Sequence, residues 1–138
     1  MEQRDYIEAM IEELGNSLRK MLAFLSKNSS KKDELNTIAS IENDFFTDFK
    51  ITLDEFILLS NDDFKNKIIA LQLKESHLEM LAQLFMQMRF LNKSYTNAKI
   101  EILKEKAIVC LDTADYISNS FSITRNNKKK LILNSNNY

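Results

Sequence analysis

Two apolar seams with heptad spacing constrain this chain more than anything else in it. In the first, Ile7, Ile11, Leu14, Leu18, Met21 and Leu25 recur at alternating steps of four and three residues. The second runs through Ile100, Leu103, Ala107, Cys110, Ala114 and Ile117. Around them the chain has no proline and a single glycine, so little interrupts a helical backbone. The expected fold is all-α, a compact array of five to six helices.

At 138 residues the length is that of one domain with its own core. Residues 1–133 are expected to form that domain, and 134–138 a disordered polar tail. With 44% hydrophobic and 28% charged residues the composition is that of a globular protein. No apolar run is longer than Met21 to Leu25, far short of the ~20 residues that cross a bilayer. The mixed charges of Glu2, Arg4, Asp5, Glu8, Glu12 and Glu13 are unlike the start of a signal peptide. A cytoplasmic protein is therefore expected, with no membrane partner.

Helices are expected over Gln3 to Ser26 and Lys32 to Phe49, the polar cluster Lys27 to Lys32 forming a flexible loop. Leu35, Ile38, Phe45, Phe46 and Phe49 should face inward from the second. Thr52 with Glu55, and Ser76 with Glu79, have the spacing of capping boxes. They would open a short helix from Leu53 to Leu59 and a longer one from Ser76 to about Asn92. Between them Ser60 or Asn61 caps a helix over Asp62 to Leu71, whose acidic first turn suits the helix dipole. The Ser76 helix is apolar on nearly all sides, with a polar strip of only Glu79, Gln83 and Gln87, so it belongs at the centre. The second seam should span Tyr95 to Ser118, and a last helix Ser122 to Leu133. Gly15, beside Leu14 on the first helix, suggests close approach of another helix, with an exposed hinge as the alternative.

Chemistry is harder to find. His77, the only histidine, falls at a helix start and needs no function there. Cys110 lies in an apolar seam and reads as a small hydrophobe. These two cannot supply a zinc site, and one glycine cannot build a phosphate-binding loop, so no metal or cofactor is expected. Glu8 with Glu12, and Asp112 with Asp115, have the proximity of acid/base pairs but read better as solvated or turn-fixing acids. Residues 33–63 carry nine acids against one base, whereas 64–138 carry twelve bases against six acids. That separation reads first as solvated helix faces and second as mutual attraction of the two parts. Arg125, Lys128 and Lys129 form a basic stripe on the last helix. It lacks the aromatic side chains that nucleic-acid binding would add.

Asp5, Tyr6, Ile7, Ile11, Glu12, Glu13, Leu14 and Gly15 near the start, and Ala114, Asp115, Ser118, Ser120, Phe121, Ser122, Arg125, Asn127 and Lys128 near the end, carry a resemblance. In these the chain resembles a family of small bacterial all-helical proteins of unknown function. The resemblance implies tetratricopeptide-like helical hairpins and no catalytic residues. Ala107, Leu111 and Ala114 also reproduce the small, large, small spacing of that repeat's second helix, although no second copy of the unit follows.

The expected function is accordingly a non-enzymatic module that contacts another protein. The candidate contacts are Tyr6, Met10 and Phe24 on the first helix and Arg125, Lys128 and Lys129 on the last. Self-association through the seams is a variant of this. An alternative is a small-molecule or enzymatic pocket near Glu79, Gln83 and Gln87, lined by methionines and phenylalanines. Nucleic-acid binding through the basic C-terminal helix ranks third.

Overall fold

The computed structural model describes residues 2–27, 34–91 and 96–134, and every regular element among them is helical. The order is α1 (Glu2–Lys27), α2 (Glu34–Phe49), α3 (Leu53–Ile57), α4 (Asn61–Ala70), α5 (Glu75–Leu91), α6 (Asn97–Ser118) and α7 (Ile123–Asn134). The all-α expectation holds, with seven helices among the described residues rather than five to six. Asn134, expected in a polar tail, ends α7, and the expected tail beyond it lies outside the described residues, as does the expected loop at 28–32.

The additional breaks have local causes. Thr52 and Ser60 each accept a hydrogen bond from the backbone N–H three residues on, opening α3 and α4. The cap at Thr52 forms as expected, but the Glu55 carboxylate accepts from the Thr52 hydroxyl at 2.9 Å and not from the backbone N–H that a capping box would use. Lys50, Gln72 and Asn119 follow α2, α4 and α6 with φ of 63°, 57° and 51°. In a chain so poor in glycine, ordinary side chains take the left-handed position that ends a helix.

The helix α5 starts differently from the expectation. Lys74 is its cap: the Lys74 carbonyl accepts from Leu78 N–H, and the Lys74 N–H donates to His77 Nδ1 at 3.1 Å. His77 thus plays the part that Glu or Gln plays in a capping box. Ser76 sits inside the first turn, and the expected Ser76–Glu79 box does not form. The box begins two residues earlier because the imidazole satisfies the Lys74 N–H.

Burial follows the seams. Leu18, Met21 and Leu25 of the first, and Leu103, Ala107, Cys110 and Ala114 of the second, lie in one hydrophobic core. That core also takes Leu78, Leu81, Leu84, Phe85 and Met88 from α5, which packs against α1, α2 and α6. Both seams are therefore used mainly within one molecule. Ile117, at the end of the second, stays exposed. Burial raises the Cys110 thiol pKa, consistent with a hydrophobe's role.

Phe56, on the five-residue α3, links the aromatic core. Its ring lies 5.4 Å from Phe45, 4.6 Å from Phe64 and 6.5 Å from Phe85, joining α2, α4 and α5. Phe45 and Phe49 share one face of α2 and stack at 4.4 Å. Phe46, expected inside, is 51% exposed, because it is rotated about 100° from that face.

Gly15 meets the expected close approach. A Cβ there would lie 2.4 Å from His77 Nε2, so the missing side chain makes room for the imidazole of α5. The ring is buried and its Nδ1 must remain an acceptor, which requires the neutral form. Desolvation pushes its pKa below the ordinary histidine value; Glu12 opposes this, while Lys74 and Arg19 add to it. The sign follows. Below about pH 6.5 the unfolded chain takes up the proton that the folded chain refuses, so stability falls on acidification and is flat above. Urea denaturation of His77→Gln, which keeps an acceptor at the third helical position, is expected to lose this slope between pH 5 and 7. An equal slope in both proteins would contradict the assignment.

Candidate functional site

The strip Glu79, Gln83 and Gln87 does face a cleft over part of its length. Glu79, Ala82, Gln83 and Met86 of α5 form one wall and Leu111 of α6 the floor. Lys128, Leu131 and Ile132 of α7 close the other side, around about 310 Å³. Gln87 is not among the lining residues, nor is any phenylalanine; Phe85 points into the core from another side of α5. The apolar lining is Ala82 and Met86 from α5, so one of the expected methionines is present, with Leu111, Leu131 and Ile132 from α6 and α7 in place of the expected phenylalanines. Leu131, at the rim, is 73% exposed.

What holds α7 beside this cleft is largely ionic. Ser122 caps the helix, accepting from Arg125 N–H at 3.2 Å. One turn in, the Arg125 side chain is only 2% exposed. Its Nε donates to Asp115 Oδ1 at 2.7 Å and its Nη1 to Glu75, with Glu79 Oε2 at 3.4 Å. Its Nη2 reaches the Ser118 hydroxyl at 3.3 Å. Lys129 spans Asp112 at 2.8 Å and Asp115 at 3.1 Å, and Lys128 donates to Glu79 at 2.9 Å.

The electrostatics of the cluster are mutual. Burial raises the Asp115 pKa, but hydrogen bonds from Arg125 and Lys129 outweigh it and hold the carboxyl below the usual aspartate range. Burial likewise opposes the Arg125 charge, and Asp115 and Glu75 more than offset it. Lys129 is held charged first by its hydrogen bond to Asp112, against desolvation. The turn after α6 is held by the Asp115 backbone carbonyl, which accepts from Ser120 N–H and the Ser118 hydroxyl, whereas the carboxylate expected to fix it is engaged by Arg125 and Lys129.

The sequence-expected basic stripe is thereby corrected. Arg125 is not a surface contact residue but a buried hub, and Lys129 is engaged by two aspartates. Lys128, half exposed, remains at the surface beside Glu79. Arg125 and Lys129 face Glu75, Glu79, Asp112 and Asp115 instead of solvent, so of the stripe only Lys128 is open to a phosphate. Spacing along α7 could not reveal this, because three of the four counter-charges lie between seventeen and fifty residues away along the chain.

Tyr6, Met10 and Phe24 are exposed on α1, as their candidacy requires, with Tyr6 at 66%. The other acidic pair is Glu8 and Glu12. Glu12 binds Lys74 at 2.8 Å and ties α1 to the start of α5, which lowers its pKa.

Outside the cleft, Lys106 is buried on α6, its Nζ 2.7 Å from Asn61 Oδ1 and 5.6 Å from the centre of the Phe64 ring. Desolvation lowers its pKa. No group of three or more potential metal ligands occurs among the described residues, and no helix among them is long and apolar enough to cross a membrane. Comparison with protein-family models, curated proteins and solved structures gives no match.

Removing Arg125 takes from Glu75 the cation it binds and leaves Glu79 and Asp115 with only Lys128 and Lys129 as counter-ions. The substitution Arg125→Ala is expected to weaken the docking of α7 by roughly 2–3 kcal/mol, and Arg125→Lys to restore little, since an ammonium cannot fork between helices. The check is limited trypsin digestion, with cleavage after Lys128, Lys129 and Lys130 accelerated about tenfold or more if opening precedes cutting. Unchanged digestion would refute the ionic hold.

Proposed function

We propose that this chain is a non-enzymatic protein–protein interaction module, tetratricopeptide-like in packing, whose cleft between α5 and α7 receives apolar side chains of another protein. The observation that carries this reading is the open aliphatic cleft with Leu131 exposed at its rim. Apolar surface left open beside polar groups is a common mark of a binding surface. The tetratricopeptide-like part has the support of the α5–α6 pair. Glu75 at the start of α5 and Asp115 near the end of α6 share Arg125, so the two helices run antiparallel, as in a helical hairpin. Tyr6, Met10 and Phe24 on α1 offer a second, separate contact.

The cleft also favours one other reading, a small apolar molecule, because about 310 Å³ is at the lower end of ligand-site volumes. Lys128 and Glu79 at the rim would then orient the ligand's polar end.

One experiment separates the two. A photo-reactive amino acid is placed at Gln83 and, as a control, at exposed Asn66 on α4, in the cells that make the protein. Irradiation is expected to give protein adducts from position 83 and not from 66, and Ala82→Trp, which fills the cleft, is expected to suppress them. A small mass addition at 83 would transfer the assignment to a small molecule. Equal adducts at both positions would refute a role for the cleft.

A further inference from the structure

The seat of α7 carries more information than the cleft beside it. Of the large apolar residues on α7, only Ile132 is buried, whereas Ile123, Leu131 and Leu133 are each about 70% exposed. The helix lies against α6 and reaches α5 with the long side chains of Arg125 and Lys128. It is joined to α6 by only residues 119–122, with Asn119 in the left-handed conformation. Underneath, the space bounded by Ala82, Met86 and Leu111 is left unfilled. This is how a polar ligand sits on a groove, more than how a core helix packs, since core helices bury a broad apolar stripe.

We propose that α7 is a displaceable resident of a groove on α5 and α6, and that the groove's partner is a basic amphipathic helix of another protein. The partner's chemistry is read from the resident. An arginine enters the carboxylates Glu75, Glu79 and Asp115, lysines three and four positions on meet Glu79 and the Asp112–Asp115 pair, and a branched apolar residue at the seventh position is buried. A partner helix with larger apolar side chains toward Met86 and Leu111 fills the cleft that α7 leaves open, and this is its advantage in exchange. The inference rests on the cleft being a protein contact, and names its partner class.

Because α7 is tethered by a short link, it competes at an effective concentration of the order of millimolar. An external helix therefore gains access only when the resident is weakened or the partner fits better. Electrostatic recognition of this kind also implies salt dependence, since charges at the rim are screened.

The probe is a synthetic peptide with the sequence of residues 120–134, titrated into the ¹⁵N-labelled full chain. It is compared in the wild type and in Lys128→Glu/Lys129→Glu, whose substitutions lie on α7 and leave Glu75, Glu79, Asp112 and Asp115 in place. The double variant is expected to bind the peptide about tenfold or more tightly than the wild type, with the amide signals of its own α7 moving to free-chain positions. A peptide with alanine at the position of Arg125 should bind about tenfold more weakly, and raised salt should weaken binding of the unaltered peptide. Lys128→Glu alone, at a half-exposed site, gives the same comparison in smaller measure if the double variant is poorly folded.

Peptide binding that shifts Ala82, Met86 and Leu111 while α7 keeps its signals would overturn displacement and leave the cleft reading intact. Absence of binding in both variants would overturn the basic-helix partner; crosslinking at Gln83 judges the cleft separately. A stable complex of two whole chains without peptide, exchanging α7 between copies, would reassign the groove to self-association and overturn the proposal of a different protein.

Discussion

A guanidinium taken almost wholly out of water has to be met by carboxylates, and here those carboxylates stand on two helices other than the one that carries it. Arg125 belongs to α7, Glu75 and Glu79 to α5, and Asp115 to α6. The ion cluster therefore decides where α7 lies. Its side chains are long, so the helix can satisfy them while leaving space between its own aliphatic residues and those of α5. The aliphatic cleft lies beside these long ionic arms. A buried ion pair contributes little net stability compared with apolar packing, but losing one partner is costly. Such a contact fixes position and register better than it adds stability, which suits a helix that exchanges.

The remainder of the fold is held in another way. On its other sides α5 meets α1, α2 and α6 through leucines, phenylalanines and methionine, and the Phe56 ring of α3 gathers phenylalanines of α2, α4 and α5. The Gly15–His77 contact brings α1 close to the start of α5, where the same imidazole closes the helix cap. One helix thus has an apolar, closely packed environment on most sides and an ionic, partly open one on the side facing α7. Differences of this kind let one element of a small domain open without the rest.

Much of this architecture was legible in the sequence because it follows from local spacing. The seams, the cap at Thr52, the acidic first turn of α4 and the central place of α5 all depend on residues within a few positions of one another. Gly15 was legible too, since a lone glycine in a helix calls for a close neighbour. Two departures from the expectation have separate causes. A histidine in the third position of a capping box is not the standard residue, so residue spacing alone puts the start of α5 too late. Apolar character alone puts Phe46 inside, although Phe45 and Phe49 already define the buried face.

The ionic seat was visible only in fragments. Glu75 with Glu79 and Asp112 with Asp115 are acidic pairs at helical spacing, and Arg125, Lys128 and Lys129 are a basic set at matching spacing. Each fragment alone has the form of a solvated helix face. Only the fold brings them together, and with them the aliphatic residues from α6 and α7 that line the cleft. The most direct measurement is native-state hydrogen exchange of the full chain at low and high salt. Amides of α7 are expected to open at a lower free energy than those of α5 and α6, and that free energy falls further as salt rises. If α7 exchanges only when the whole chain unfolds, and salt leaves its protection unchanged, the ionic and displaceable hold on this helix is wrong.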